Sequence, residues 1–529
     1  MELSDIAEES AKGSFSLMTG LALSTAIGAA VVILMARLLG PSGYGLYTLA
    51  LVGPTLFVAI ADFGLSPSIT RFTANLRSEG KYSQAASMIK SAVLFALLAS
   101  SIAFLLAYAS AAEIAAVLQR PEISFLVIVA SFTIVFSCLF NITYNALVGC
   151  DRMGRSAVML VLRDATRLVF SPLLIVVGFG VAGAIAGQVV GWVAGCALGL
   201  TVLLLNRSDP QGKKHDTDEQ HGITRSVSAM MSYGTPLYAS SLLAQIVTQY
   251  QTIVLAFFTS NAEIGSFRAA VNFGSLIGIF ATPVATALFP AFSKLDLRTR
   301  KVDLESMFDH AVKYTTLLIV PVAVVIAALS RDFIRAVYGV AYASASTYLA
   351  LYVATFLLSA IGSQAIGAFL NGVGKTKETL KITLVQLITF LPSAPFLAWL
   401  LGVSGVIIAL ILSTLVSISF GLWLAVHQYG MRVDLRASLR ILLAATISAV
   451  PLLPMILYSP LPSYANAALG ALIYAAAYLT LIPLLKALTR SDLQLLTPIL
   501  KQIKPLQPLT DLIITYENQL LNITEKTSH

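Results

Sequence analysis

Three arginines stand inside stretches that are otherwise apolar: Arg163 and Arg167 within 156–178, and Arg268 within 263–291. An ionisable side chain at membrane depth is costly, so each is a candidate for function. Arg163 and Arg167 lie one helical turn apart and share a face, with Asp164 beside them. Asp62 stands in the inner half of 44–66. Guanidinium suits phosphate, because its planar donors pair two oxygens at once and it stays charged at any relevant pH. Lining a water-filled hollow, these arginines would select an anionic head group. The plainer alternative is an Arg–Asp pair that holds two helices together. Arg37, at the outer end of 14–38, either joins the group or anchors the membrane interface.

Uncharged polar side chains form a second set. Tyr238, Ser241, Gln245, Thr248, Gln249 and Thr252 recur at helical spacing within 229–258. Hydroxyls and amides along one face suit hydrogen bonding to sugar, and equally to neighbouring helices. Asn141, Tyr144, Asn145 and Gln386 raise the same question. Gly183, Gly187, Gly191, Gly195 and Gly199 fall one every fourth residue, a smooth ridge that lets another helix come close. Neither HExxH, CxxC, a P-loop nor a Ser/His/Asp arrangement occurs, and Cys138, Cys150 and Cys196 read as small buried hydrophobes. No metal, cofactor or catalytic residue is therefore expected.

The elements that must hold these residues follow from composition. With 57% apolar and 11% charged residues, the chain has about half the charged fraction of a soluble domain. It reads as an all-α polytopic membrane protein. A crossing needs about 20 mostly apolar residues, and fourteen such spans are expected: 14–38, 44–66, 86–109, 123–148, 156–178, 181–205, 229–258, 263–291, 311–330, 346–371, 378–400, 403–427, 437–458 and 464–487. The start, MELSDIAEES, lacks the basic region of a cleavable signal, so the first span is expected to be retained. With the N-terminus cytoplasmic, twenty-seven of the thirty-four Lys and Arg fall on inner segments and four on outer ones, Arg37, Arg120, Arg331 and Arg335. That asymmetry places both termini inside, and it accounts for the +8 charge without nucleic acid.

The chain also repeats itself. Gly265-Ser266-Phe267 stands about 220 residues after Gly45-Leu46-Tyr47, Gly374 about 220 after Gly154, and Gly402-Val403-Ser404-Gly405 about 222 after Gly180-Val181-Ala182-Gly183. Two sequential halves of this sort are built like a transporter. The expected division is an N-lobe at 1–205, a cytoplasmic linker at 206–228, a C-lobe at 229–428, two further spans at 429–490, and an interfacial helix with a mobile tail at 491–529. In that helix Leu493, Leu496, Leu500 and Ile503 share one side.

ARLLGPSGYGLYTLAL, IADFGLSPSITRF and, in the second half, SYGTPLYASSLLAQIVTQYQTIVLAFFTSNAEIGSF resemble the Wzx-like oligosaccharide flippases, the polysaccharide-exporter branch of the multidrug/oligosaccharidyl-lipid/polysaccharide flippase superfamily. The resemblance covers about 14–427. It implies a V-shaped bundle of two six-helix lobes around a cationic cavity, with two added helices, in the cell's plasma (inner) membrane. The implied substrate is a polyprenyl-(pyro)phosphate-linked oligosaccharide, moved from the cytoplasmic to the outer leaflet by a monomer among membrane lipids and glycan-assembly enzymes. On that reading Arg163, Arg167 and Arg268 face phosphate, with Arg37 as a possible fourth, while Tyr238, Ser241, Gln245, Thr248 and Gln249 face sugar. Similar sequences often carry an acid where this chain has Gln251, which leaves Asp62 and Asp164 as the ion-coupling candidates. Alternatives are a peptidoglycan-precursor flippase, a multidrug/cation antiporter, and, in a different class, a membrane enzyme acting on lipid-linked glycans. The absence of a long catalytic loop argues against the enzyme.

Overall fold

The computed structural model describes residues 3–205, 223–278, 292, 301–501 and 507–526. Every regular element among them is helical. Ten helical segments are long and apolar enough to cross a membrane. Three of these, Gly13–Ser78, Met153–Leu205 and Thr376–Gln428, run to 66, 53 and 53 residues, long enough for two crossings each. Large side chains that a soluble protein would bury face outward along them, Val176 at 72% and Trp399 at 69% exposure among them. Residues 279–291 of the expected eighth span, and all of 206–222, lie outside the described residues.

Glycine breaks divide the long segments. In α1 (Leu3–Asp62) the backbone at Gly40 has φ 65° and ψ 176°, a conformation closed to L side chains, so the chain turns there and a second crossing begins. The sequence repeat reappears as geometry. Gly180, which opens α7 (Gly180–Leu205), has φ 51° and ψ −129°, and Gly402, within the helix Thr376–Trp423, has φ 58° and ψ −133°. Two positions about 222 residues apart thus fold the chain through the same turn.

The chain forms two compact units, Met1–Gly265 and Ser266–His529. Unit 1 holds α1, α2 (Leu65–Ser78), α3 (Tyr82–Ala109), α4 (Ala111–Val117), α5 (Ser124–Gly149), α6 (Met153–Leu174), α7, α8 (Ile223–Phe258) and the first turn of α9 (Asn261–Gly274). Its core is built around Leu65, Ile69, Met88, Phe140, Leu147 and Met159. At one end the Gly40 bend, the α6–α7 turn, the α4–α5 connection and the α8–α9 turn gather. A Cβ on Gly43 would sit 3.6 Å from Val181, and Arg120 Nε donates to Asn261 Oδ1 at 2.8 Å. At the other end Ser14 lies against Met153, and a Cβ on Gly149 would sit 2.6 Å from the Thr70 carbonyl oxygen. Successive connections thus alternate between ends, as up-and-down crossings require.

The lobe boundary expected at 206–228 differs from this grouping, because α8 packs on α1, α2 and α3. Small residues allow it. A Cβ on Gly234 would overlap the Gly64 carbonyl oxygen, and Ser68 Oγ donates to the Met230 carbonyl at 2.9 Å. With little hydrophobic drive between helices in lipid, this close backbone approach decides which neighbour α8 takes.

Unit 2 continues with α10 (Lys301–Ala328), α11 (Ser330–Val337), α12 (Ala343–Leu357), α13 (Ser363–Gly372), α14 (Thr376–Trp423), α15 (Leu435–Ile447), α16 (Leu453–Tyr458), α17 (Ser463–Leu484), α18 (Arg490–Lys501) and α19 (Gln507–Lys526). The added C-terminal crossings are bonded to the rest of the unit: Tyr474 donates to the Ala445 carbonyl and Tyr478 to the Leu317 carbonyl, each at 3.0 Å. The region after them departs from expectation. Leu493 of α18 is buried among Leu329, Ile441 and Ile482, so that side chain packs on protein. Leu496 and Leu500 lie where side chains are not described, and Ile503 falls outside the described residues. Where a mobile tail was expected, α19 packs on α17. Thr489 and Asp492 form a reciprocal N-terminal cap on α18, and Asp492 pairs with Lys313 at 2.5 Å.

Candidate polar site in the membrane-spanning helices

The glycine ridge of α7 sets the position of the arginines on α6. A Cβ on Gly187 would overlap Ser171, one on Gly191 would lie 2.8 Å from the Arg163 carbonyl oxygen, and one on Gly195 would lie 2.7 Å from the Phe140 ring. The two helices therefore touch backbone to backbone, and the long side chains of α6 are directed along the contact rather than into it.

Arg163 and Arg167 share a face but not an environment. Arg163 meets its sequence neighbour Asp164 with two donors, Nε to Oδ1 at 3.0 Å and Nη2 to Oδ2 at 2.7 Å. Its guanidinium lies 4.8 Å from the Trp192 ring centroid and 5.3 Å from that of Phe140. Asp164, 4% exposed, also accepts from Ser24 Oγ of α1. The Arg163 charge is thus met by a carboxylate and two ring faces.

Arg167 is held by neutral groups. Its Nη2 donates to Tyr47 OH at 3.0 Å, and Tyr47 in turn donates to Gln188 Oε1 of α7. Its Nε is buried without a hydrogen-bond partner. Among the described residues no carboxylate pairs with Arg167. Tyr47 and Gln188 escaped the sequence reading; the only signal was that each is a polar residue within an apolar run. Tyr47 is 5% exposed and stacks on Tyr44 with centroids 5.8 Å apart.

Arg37 is exposed near the end of the first crossing. Arg268, half-buried on α9 in unit 2, lies within electrostatic reach of Tyr352, and no carboxylate pairs with it among the described residues. The polar stripe of α8 is mixed in environment. Ser241 is exposed, Gln245 and Gln249 are half-buried, and Thr248 bonds the Ala244 carbonyl of its own helix. Thr252 and Gln251 are buried. The hydroxyl of Tyr238 is buried without a partner, within electrostatic reach of Asp62 and Cys138. Asp62, where α1 ends, accepts from Ser66 Oγ. One sugar candidate and one ion-coupling candidate are therefore neighbours. A cavity of about 380 Å³ bordered by Val52, Leu56, Phe57, Ile114, Val117 and Ile253 is apolar and contains none of these residues.

No group of His, Cys, Asp and Glu suited to a metal ion occurs among the described residues. What these helices offer is cationic and neutral hydrogen-bond donors beside two carboxylates, Asp164 and Asp62.

Comparisons with known proteins speak to the family and the fold. The family model described as polysaccharide biosynthesis protein matches residues 10–296, more than half of the chain. The probable low-salt glycan biosynthesis flippase Agl15 of Haloferax volcanii is 21% identical over 381 residues, covering 72% of this chain and 75% of that protein. The lipopolysaccharide biosynthesis protein WzxC of Escherichia coli is 24% identical over 207 residues, 39% of this chain and 42% of that one. Among solved structures, a lipid II flippase MurJ in an inward closed conformation superposes with a TM-score of 0.72 at 17% identity, covering 88% of this chain and 98% of that one. The chain belongs to the polysaccharide biosynthesis protein family and is a transporter, not an enzyme: a membrane flippase of the Wzx-like branch of the multidrug/oligosaccharidyl-lipid/polysaccharide flippase superfamily.

Proposed function

We propose that the chain moves a polyprenyl-(pyro)phosphate-linked oligosaccharide from the cytoplasmic to the outer leaflet of the cell membrane, by alternating access, for surface glycan assembly. The observation that carries this reading is Arg167, a cation within membrane-spanning helices, bonded to neutral Tyr47 and retaining a buried, unpartnered Nε. A buried charge without a counter-charge is unfavourable unless a ligand supplies one. Phosphate answers that charge, since guanidinium pairs its oxygens two at a time. Arg268, in unit 2, is a further cation with no carboxylate pairing it among the described residues, and it too is assigned to phosphate. Arg163 acts through Asp164 to shape the field, Arg37 assists at the membrane surface, and Tyr238, Ser241, Gln245, Thr248 and Gln249 meet the sugars. Asp62 and Asp164 are the groups for ion coupling.

The test uses purified protein in liposomes with a fluorescent polyprenyl-pyrophosphate oligosaccharide. Arg167→Ala and Arg268→Ala should each lower the flipping rate at least about tenfold, and Arg167→Lys should fall between, because ammonium keeps the charge and loses the fork. Wild-type rates in both Ala variants would remove the phosphate site. Flipping of a peptidoglycan precursor in place of oligosaccharide carriers would favour that alternative.

A further inference from the structure

The apolar cavity of unit 1 lies apart from the arginines. Val52, Gly53, Leu56, Phe57 and Ile60 of α1 form one wall, with Ile114 and Val117 of α4 and Ile253 of α8 across from them. At about 3.6 residues per turn the five α1 positions fall on one side of the helix, and Tyr47, which holds Arg167, falls on the other. The helix itself thus stands between the cavity and that arginine. The wall is apolar and gives water no hydrogen-bond partner. A dry cavity of about 150 Å³ already admits a benzene-sized guest, and this one measures about 380 Å³.

Its shape has a direction. From Val52 to Ile60 the wall runs about 12 Å along α1. Helix α4 closes on it at Gly53, where a Cβ would sit 3.0 Å from Ile114. Further along α1 it opens: Val52 is 3% exposed and Ile60 52%. The cavity is therefore a furrow parallel to a membrane-crossing helix, shut toward the end where the Gly40 bend and the α4–α5 connection gather, and open toward mid-membrane. Charge stands at the shut end. Glu113, in the first turn of α4, borders it and is exposed, with no hydrogen bond or ion pair among the described residues. Between α3 and α5, Glu113 and Glu122 outnumber Arg120, so the connection is net negative.

We propose that this furrow is a lipid site, holding one acyl chain of a resident bilayer phospholipid whose ammonium head group lies at Glu113. A hydrocarbon chain running inward from a charged end matches the furrow in shape and in charge, and the surrounding bilayer supplies such chains at far higher concentration than any other apolar molecule. Seated there, the chain gives α1, α4 and α8 the contacts that a void denies them. The site goes beyond the reading of Arg167 and does not depend on which cargo is flipped.

Full-length protein in liposomes is irradiated with phosphatidylethanolamine or phosphatidylglycerol carrying a diazirine in one acyl chain, and the labelled peptides are mapped by mass spectrometry. Label should concentrate in 52–60 and 113–118, about twofold or more higher with phosphatidylethanolamine, and Glu113→Gln should equalise the two probes. Ile60→Trp, which fills the open end at an exposed position, should lower labelling of both segments several-fold. Label spread evenly over the lipid-facing helices of the wild type, or undiminished in folded Ile60→Trp, overturns the site. Equal labelling of the wild type by the two probes overturns the ammonium assignment. Loss of label on adding a polyprenyl-pyrophosphate oligosaccharide, but not on adding the same amount of unlabelled phosphatidylethanolamine, gives the furrow to the cargo and overturns the resident lipid.

Discussion

At the scale of single residues, two arginines one turn apart differ in what surrounds them, and so in what their loss does. Arg163→Ala leaves Asp164, 4% exposed, without its cation. Removing one partner of a buried pair costs about 3 kcal/mol or more. Arg167→Ala removes a bond to a neutral hydroxyl, a loss of about 1–2 kcal/mol, offset in part because an uncompensated charge goes with it. Thermal unfolding in detergent should therefore show Arg163→Ala as the less stable variant, with the double variant Arg163→Ala/Asp164→Asn recovering part of the loss. A larger drop for Arg167→Ala would mean that the charge balance drawn here is wrong. On transport the order should reverse, with Arg167→Ala the more damaging once the data are corrected for folded protein.

At the scale of elements, α7 offers glycines that differ sharply from others in what they adjoin. Gly187→Ala forces its Cβ into Ser171, an overpacking of about 1–3 kcal/mol, whereas Gly28→Ala, with nothing within 4 Å, should change stability by about 0.5 kcal/mol or less. The same thermal measurement compares them, and equal shifts would deny the ridge its packing role. Helix α19 supplies a pH dependence. Glu517 is 2% exposed, and both its carboxylate oxygens are buried without partners. Burial raises its pKa from 4.5 to about 7. A raised carboxyl pKa favours the neutral form in the packed state, so the packing of α19 is strongest below 4.5 and is lost progressively as pH rises through about 7. Amide exchange across 507–526, corrected for intrinsic rate, should be faster at pH 8 than at pH 5.5, and Glu517→Gln should flatten the difference. Asp492 behaves oppositely. Burial pushes its carboxyl up, but bonds from Lys313 and Thr489 hold it below 3.8 on balance, so its contribution is full above that value and lost as pH falls through the lowered one.

At the scale of the whole molecule, connections in unit 1 alternate between its ends, and the asymmetry of basic residues leads us to propose that the end holding the α2–α3 connection is the cytoplasmic one. Cysteine placed at Glu79, in the α2–α3 connection, should react with an impermeant thiol reagent only from the cytoplasmic side. Cysteine at Val117, 60% exposed at the end of α4, should react only from outside intact cells. The reverse pattern would invert the proposed direction of export.

Much of this could be read along the chain. The helical class followed from apolar length, because the hydrocarbon core admits few other backbones. The repeat was legible through Gly180 and Gly402, since a positive φ restricts the residue wherever it occurs. The ridge on α7 was legible too, as spacing by four needs only helical geometry. What spacing does not contain is the partner across space. Arg163 and Arg167 look alike in sequence, yet one faces a carboxylate and two rings, and the other a tyrosine contributed 120 positions earlier. Nor did the pattern tell that α8 joins the first half, a choice made by contact between Gly234 and Gly64. Hydrophobicity along a chain decides what enters the membrane; which helices then meet, and which charge is left without a partner, depends on close packing between residues far apart in sequence.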